Sequence, residues 1–380
     1  MEHIFTSIDF KDDAADADVI ELVNQAVSRN AQFVLVLIAS QAQADIHNIP
    51  TIAANANISV NACLLPGIIF KRDVSYNGIM VLGFAQPIVS LVIPDISEDY
   101  ETLSDQLRNF VNKNGTFGSA FMFVDGLSHS IETFITTLYE QFGSDRKVIG
   151  AGAGNKDFES VPCLANEQGC YQNAAIIFCL SNDHQIQTVG KHGLESVAGP
   201  FLVTKARNNI IYGLNYQPAF EIYSSAIKAN FTAYTNEDIQ QQLHCFPFGL
   251  KQLDNEYLVR DIVGIEDEAL VCVGNVAENS LVYILHTDKE KMISAASKAS
   301  PELLPKLTHP TPKHLRFICL IDCISRALYL QDDYRLELDA LNDNLPENLA
   351  TAGILSIGEI KNSSQGAIQF LNKTIVLGGM

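Results

Sequence analysis

Residues 119–154 read SAFMFVDGLSHSIETFITTLYEQFGSDRKVIGAGAG, and the order of apolar and polar residues in this segment predicts its structure. The apolar run Ser119–Val124 has the length of a strand and is followed by Asp125 and Gly126. The next apolar residues recur at the spacing of one helical face, namely Ile131, Phe134, Ile135, Leu138 and Phe142. The run KVIGAGAG at 147–154 then predicts a second strand. Two strands joined through a helix are typically parallel, so the segment predicts a β-α-β unit.

The same layout occurs once before this segment and once after it. Strand-length apolar runs at Phe33–Ala39 and Arg316–Ile321 are each followed by a helical stretch, a second strand and, after a polar loop, a third strand. Each unit therefore predicts β-α-β-β, with the first two strands parallel and the last two forming a hairpin. Uninterrupted apolar strands are typical of sheets covered on both faces. The predicted fold class is α/β, with two domains built from repeated β-α-β-β units and mixed, largely buried sheets.

The segment from Phe201 to Tyr234 has the composition of a junction between domains. It contains two polar turns and then Pro218, a residue that favours the first turn of a helix starting near Ala219. We therefore predict an N-terminal domain at residues 1–217 and a C-terminal domain at residues 218–380.

Charge and composition limit the classes of partner. The net charge is −19, from 25 basic and 44 acidic side chains, and a field of that sign repels nucleic acid and anionic lipid. The N-terminus is acidic and has no apolar signal-peptide core, and the longest apolar stretch, Ile79–Pro94, is interrupted by polar residues. The eight cysteines include no Cys-x-x-Cys pair, which disfavours structural zinc. These features predict a cytoplasmic protein with neither a nucleic-acid nor a membrane partner.

The ends of the predicted strands are the first place to expect a ligand. Open α/β sheets bind ligands at this edge, where Asp125 and the glycine run Gly150–Gly154 lie. A polar loop follows GAGAGN instead of a helix, which disfavours a nucleotide-binding loop. Gly152 and Gly154 then allow close approach either of another backbone or of a ligand.

A second set of candidate residues follows the strand of the third unit. Cys323 lies where that strand meets a helix, a position that favours a reactive thiol, but His309 and His314 precede the strand and lie at its other end. Arg326 is spaced to pair with Asp322 and is also suited to bind a ligand carboxylate.

Glu359 is a lone carboxylate in an apolar strand, shortly after Ser356. It needs a partner if it is buried. That partner is either a ligand ammonium or an arginine such as Arg326 or Arg260.

The nine histidines have no metal-site spacing. A single histidine can still serve as an axial haem ligand, and His192 and His244 are the candidates.

The order of several segments resembles the FIST domain family. These segments cover nearly the whole chain and are VIGAGAGNKDF (148–158), HGLESVAGPFLVTKARNNIIYGLNYQPAFEIY (192–223), FPFGL (246–250) with YLVRDI (257–262), DCISRALYL (322–330), and GILSIGEI (353–360) with FLNKTIVL (370–377). The resemblance implies an α/β fold with N-terminal and C-terminal FIST regions and a role as a sensory module for small ligands, amino acids among them. By position it carries the family's functional pattern onto Cys323 with Arg326, Gly358 with Glu359, and His192 with Gly193.

The leading interpretation is a non-enzymatic cytoplasmic sensor that binds a small ligand and signals to a partner protein. The predicted ligand contacts are Arg326, Glu359, Cys323, Ser356, Gly152, Gly154 and Asp125. One branch of the family resembles this chain in standing alone and consists of haem-binding nitric-oxide sensors. That branch implies haem on His192 and a partner such as a histidine kinase or a diguanylate cyclase or phosphodiesterase. The other alternative is an enzyme that uses Cys323 as its nucleophile.

Overall fold

The computed structural model describes residues 4–115, 117–181, 185–307, 317–346 and 349–379. Within them the chain repeats one layout three times: a leading strand, a helix, a strand, a helical segment, a strand, a short two-stranded hairpin and a closing strand. Repeat 1 consists of β1 (Phe5–Lys11), α1 (Asp16–Ser28), β2 (Phe33–Ala39), α2 (Ile49–Ala56), β3 (Ser59–Leu65), β4 (Gly67–Phe70), β5 (Asp73–Ser75) and β6 (Ile79–Phe84).

The second and third repeats have the same order of elements. Repeat 2 consists of β7 (Val89–Ile93), α3 (Tyr100–Asn114), β8 (Ser119–Asp125), α4 (Ile131–Phe142), β9 (Lys147–Ala153), β10 (Leu164–Asn166), β11 (Gly169–Tyr171) and β12 (Ala175–Leu180).

Repeat 3 starts at β13 (Gln187–Lys191) and is interrupted by an insert, residues 192–288. The insert consists of β14 (Glu195–Arg207), β15 (Ile210–Leu214), β16 (Gln217–Pro218), α5 (Ala219–Asn230), α6 (Asn236–Gln241), β17 (Phe248–Lys251), β18 (Tyr257–Arg260), β19 (Ile262–Glu266), β20 (Ala269–Cys272) and β21 (Leu281–His286). The repeat resumes with α7 (Lys289–Leu303), β22 (Phe317–Cys323), α8 (Ile324–Leu330), α9 (Tyr334–Asn342), β23 (Ala350–Ser356), β24 (Glu359–Asn362), β25 (Ile368–Leu371) and β26 (Ile375–Gly379).

Pairing within each repeat confirms the α/β class and the mixed sheets. The strands β2 and β3, β8 and β9, and β22 and β23 are parallel, as predicted. The predicted hairpin between the last two strands is wrong, because the closing strand pairs antiparallel with the first strand of the parallel pair instead. The loop between the parallel pair and the closing strand forms a separate two-stranded hairpin.

These short hairpins are exchanged around the three repeats. Strand β4 of repeat 1 pairs with β23 of repeat 3, β10 of repeat 2 pairs with β3 of repeat 1, and β24 of repeat 3 pairs with β9 of repeat 2. Each repeat therefore contributes to two sheets, and each of the three sheets has six strands. The repeats interlock and share one fold.

The inner faces of the three sheets meet in a common apolar core. Its aromatic members come from all three repeats and include Phe33, Phe84, Phe121, Phe178 and Phe317. The outer faces are covered by the helices, which explains why the strands are apolar on both sides. The cavity at the centre has a volume of only about 30 Å³ and an almost entirely apolar lining, so it does not suit a polar ligand.

The insert forms a separate sheet with the order β18-β17-β21-β14-β15-β20-β19. The predicted domain boundary after residue 217 falls within β16 of this sheet, and the predicted helix begins at Ala219. Strands from both sides of the boundary share the sheet. In addition, β13 pairs with β26 near the end of the chain. Among the described residues, no helix combines the length and the apolar character needed to cross a membrane.

Candidate functional site

The predicted residues of repeat 3 meet at the carboxyl ends of its parallel strands. Cys323 and Ser356 are register partners there, and Ser356 Oγ lies 2.7 Å from a Glu359 carboxylate oxygen. The other Glu359 oxygen accepts a hydrogen bond from the Thr374 amide at 3.1 Å. Burial raises the pKa of Glu359 to about 8, so its neutral acid form predominates at neutral pH. Glu359 has protein partners and no solvent exposure.

The same cluster makes Cys323 a poor nucleophile. Its Sγ lies 3.1 Å from Ser325 Oγ, and the residue is only 5% exposed. Burial raises the pKa of the Cys323 thiol to about 12, so very little thiolate is present at neutral pH. His309 and His314, considered above as its partners, lie outside the described residues, as does Arg316.

Arg326 is completely buried, and all of its donors are used within the protein. Its Nε and one terminal nitrogen bind the Glu337 carboxylate in a bidentate pair, at 3.0 and 2.6 Å. Its remaining N–H groups donate to three main-chain carbonyl oxygens, those of His192 at 2.9 Å, Lys373 at 3.0 Å and Met292 at 3.2 Å. A guanidinium has five N–H groups, so none is left over for a ligand.

Arg326 therefore joins separate parts of repeat 3 and the start of the insert. Asp322, the partner considered from the sequence, lies 3.3 Å from its Nε, and Glu337 is the closer carboxylate. Sequence reasoning missed Glu337, although it shares the buried face of α9 with Tyr334, Leu338 and Leu341. The role of Arg326 as a ligand contact stays a prediction.

In repeat 2, Asp125 and the glycines serve the protein's own backbone. Asp125 accepts hydrogen bonds from the amides of Leu127 and Asn173, at 3.1 and 2.7 Å. The Gly152 amide donates to the Gly358 carbonyl at 2.8 Å, and a Cβ at Gly152 would lie 1.9 Å from the Ile357 carbonyl oxygen.

Gly154 has φ +147°, and a Cβ there would lie 2.6 Å from Ile357 Cδ1. Gly152 is therefore approached by another backbone, whereas Gly154 is approached by the Ile357 side chain. The structure thus brings the strand ends of repeats 2 and 3 together, and Ile357 fills the space between them.

An open cleft of about 550 Å³ lies beside His192, the residue whose main-chain carbonyl oxygen Arg326 contacts. Its walls are the end of β13, the start of β14, the β17–β18 turn and one face of α7. Seven of its twelve lining residues are charged, and these are Lys191, Glu195, Glu256, Glu290, Lys291, Lys298 and Glu302. The sequence did not reveal this cleft, because charged residues on a helix face are typical of any solvated surface.

His192 lines this cleft, and its side chain is only 11% exposed. Its Nδ1 accepts a hydrogen bond from the Leu194 amide at 2.9 Å, so the neutral ring carries its proton on Nε2. Burial, reinforced by the charges of Arg326 and Lys191, lowers the pKa of His192 to about 4. At neutral pH the ring therefore presents an Nε2–H donor. Within the part of the chain that the structure describes, this buried donor has no hydrogen-bond partner.

The surroundings of His192 do not fit a haem group. An axial imidazole needs a free lone pair on the nitrogen that faces the iron, and here that nitrogen carries the proton while Nδ1 is already an acceptor. The charged walls of the cleft are also unsuited to the apolar faces of a porphyrin. His244, the second candidate, lies near the charges of Lys373 and Asp261. Within the described part of the chain, no cluster of three metal-binding side chains occurs.

Ion pairs neutralise part of the cleft. Lys191 Nζ lies 2.7 Å from a Glu302 carboxylate oxygen, and Lys291 Nζ lies 2.6 Å from one of Glu195. The side chains of Lys298 and Glu290 form no ion pair or hydrogen bond with other described residues. Counting described residues alone, the cleft therefore retains one unpaired cation, one unpaired carboxylate and the buried N–H of His192.

Comparison with known families gives two matches along the chain. The FIST N domain matches residues 32–217, and the FIST C domain matches residues 219–362. Together they span the greater part of the three repeats and the whole insert. No curated protein matches the chain.

Proposed function

Because the chain belongs to the FIST family, whose domains are associated with small-ligand sensing in signalling proteins, we propose that it is a non-enzymatic sensor whose ligand binds in the cleft beside His192. The observation that carries this proposal is the unpartnered Nε2–H of His192. Leaving a buried donor without an acceptor costs about 1–3 kcal/mol. A ligand with an acceptor at this point recovers that free energy.

The position of the cleft supports a sensory role. One wall, which includes Glu256, belongs to the insert, and the opposite wall is helix α7 of repeat 3. A ligand that contacts both walls favours one placement of the insert over others, and this shift in population is the signal. A histidine kinase or a diguanylate cyclase or phosphodiesterase is the class of partner that would read it.

The chemistry of the predicted cysteine supports binding over catalysis. The Cys323 thiol is buried, and its raised pKa keeps it protonated at neutral pH. Thiolate is the nucleophilic form of cysteine, so this residue lacks what the enzyme alternative requires.

A ligand screen by thermal unfolding tests the proposal. Amino acids and other small polar compounds are added to wild type, His192→Ala and His47→Ala, where His47 is an exposed histidine far along the chain from the cleft. Saturation to about 100 times the Kd adds about 2.7 kcal/mol to the free energy of unfolding, which raises the Tm measurably. We expect the Tm increase in wild type and His47→Ala and its loss in His192→Ala. Stabilisation that survives in His192→Ala, or none in any variant, rejects the proposal.

A further inference from the structure

Building on the proposed cleft, we infer that its ligand is a carboxylate. Without this ligand, the carboxylate of Glu256 in the insert lies where the ligand carboxylate binds, and the ligand displaces it. Glu256 ends the turn between β17 and β18. One of its carboxylate oxygens lies 3.8 Å from His192 Nε2, and the other lies 3.7 Å from Lys191 Nζ. The Glu256 carboxylate thus faces two donors of the cleft at once.

These distances show that the Glu256 carboxylate lies beside the His192 N–H without accepting a hydrogen bond from it. A hydrogen bond from a ring N–H to a carboxylate is about 2.7–2.9 Å long, so 3.8 Å leaves the His192 donor unpartnered. The Glu256 side chain is also 58% exposed, whereas His192 is 11% exposed. An exposed carboxylate held only at this distance contributes little stability and is readily displaced.

Helix α7 adds a further cation to the cleft that holds these two donors. Lys191 pairs with Glu302, which lies one helical turn beyond Lys298 on α7. Lys298 has no partner among the described residues, so it supplies a further positive charge to the cleft. Glu290, whose carboxylate has no partner among the described residues, lies about 12 Å from Lys298 along the axis of α7. The N–H of His192, the ammonium of Lys191 and the charge of Lys298 together favour a ligand carboxylate in this cleft.

Displacement of Glu256 also provides a route for the signal. Its carbonyl accepts the Gln252 amide at 2.8 Å, which closes the turn of residues 252–256. Once a ligand takes the place of the Glu256 carboxylate, this turn loses its contacts with Lys191 of repeat 3 and with His192, while Gln252 and Asp254 keep their hydrogen bonds to Gln369 and Ser364. Ligand binding then changes the turn of residues 252–256 on the surface of the insert.

The experiment compares wild type with Glu256→Gln, which keeps the side-chain shape and removes the charge. Glu266→Gln, an exposed glutamate of the insert, is the matched control. Succinate, glutarate and glutamate are titrated calorimetrically, with putrescine as a probe that has two ammonium groups and no carboxylate. We expect the carboxylates to bind, putrescine not to bind, and Glu256→Gln to lower the Kd about two- to fivefold, because it removes a weak competitor. Glu266→Gln should leave the Kd unchanged.

Comparison of glutamate with glutarate distinguishes an α-amino acid from a simple carboxylic acid as the ligand. Tighter binding of glutamate assigns the site to α-amino acids, and equal binding assigns it to simple carboxylic acids. Hydrogen exchange at residues 252–257 should become faster when the ligand is added to wild type. An unchanged or higher Kd in Glu256→Gln, or slower exchange in the turn, overturns the inference. A His192-dependent ligand without a carboxylate also overturns it and leaves the proposed sensor intact, whereas no binding at all rejects both.

Discussion

The Arg326 guanidinium donates a hydrogen bond to the main-chain carbonyl oxygen of His192 at 2.9 Å. The contact holds the backbone of the residue whose ring lines the cleft, while the same guanidinium is anchored to Glu337. It therefore links the buried cluster predicted from the sequence to the cleft that the sequence did not reveal. In the proposed sensor, Arg326 is a positioning residue that acts on the ligand through His192.

Replacing Arg326 with methionine should strongly destabilise the protein. The substitution keeps an unbranched chain in the core but leaves the Glu337 carboxylate buried without its partner. Breaking a buried pair in this way costs about 3–5 kcal/mol. Urea unfolding of wild type and Arg326→Met measures this loss in the free energy of unfolding.

A double variant provides the control for this substitution. Arg326→Met combined with Glu337→Leu removes the bidentate pair and leaves Asp322, whose pKa is raised well above its ordinary value by burial. We expect the double variant to be more stable than Arg326→Met alone. If the two variants unfold at the same urea concentration, the ion pair is not the reason for the loss.

The parts of the fold that the sequence predicted are those with local periodicity. The parallel pair of each repeat follows from apolar runs on either side of an amphipathic helix, such as α4 with its buried Phe134 and Leu138. The exchanged hairpins carry no such pattern. Strand β10 has only three residues, and its partner β3 lies in the preceding repeat. Its pairing is imposed by tertiary contacts, which a local pattern does not record.

The same distinction applies to the candidate site. The proximity of Cys323 and Ser356 was predictable, because both end parallel strands in the same sheet. The cleft joins Lys191, Glu256 and Glu302 from three different elements, and these meet only because the insert returns to α7 beside the point where it leaves β13. The spacing of these three residues along the chain does not indicate that their side chains lie close together.

The stability of the protein should depend on pH through Glu359. Its folded-state pKa of about 8 lies above its ordinary value of 4.5, so the folded state binds the proton more tightly. The contribution of Glu359 is therefore fully favourable below about pH 4.5, declines as the pH rises and is lost above about pH 8. Glu359→Gln stays neutral and should become more stable relative to wild type, by a few kcal/mol, between pH 5 and pH 8.5. Urea unfolding at several pH values tests this, and a constant difference between the two proteins contradicts it.

Cys323 should be unreactive in the folded protein. With a pKa of about 12, its thiolate fraction at pH 7.5 is about three orders of magnitude below that of an ordinary cysteine with a pKa of about 8.5. We expect iodoacetamide to modify Cys323 at a negligible rate until urea unfolds the chain. Mass spectrometry of the modified peptides gives the rate at each cysteine. Rapid and selective modification of folded Cys323 would restore the enzyme alternative.

Gly152→Ala tests whether the strand ends of repeats 2 and 3 are packed against each other. The new methyl group would lie 1.9 Å from the Ile357 carbonyl oxygen, and the backbone at Ile357 is held in place by the hydrogen bond from its amide to the Gly152 carbonyl at 2.8 Å. We expect a loss of at least about 2 kcal/mol in the free energy of unfolding, as for overpacked cores. Gly169→Ala is the matched control, since its nearest neighbour to an added Cβ is the Tyr171 hydroxyl at 3.9 Å. If both variants unfold like wild type, there is free space beside Gly152, and the sheet edge predicted from the sequence regains its place as a ligand site.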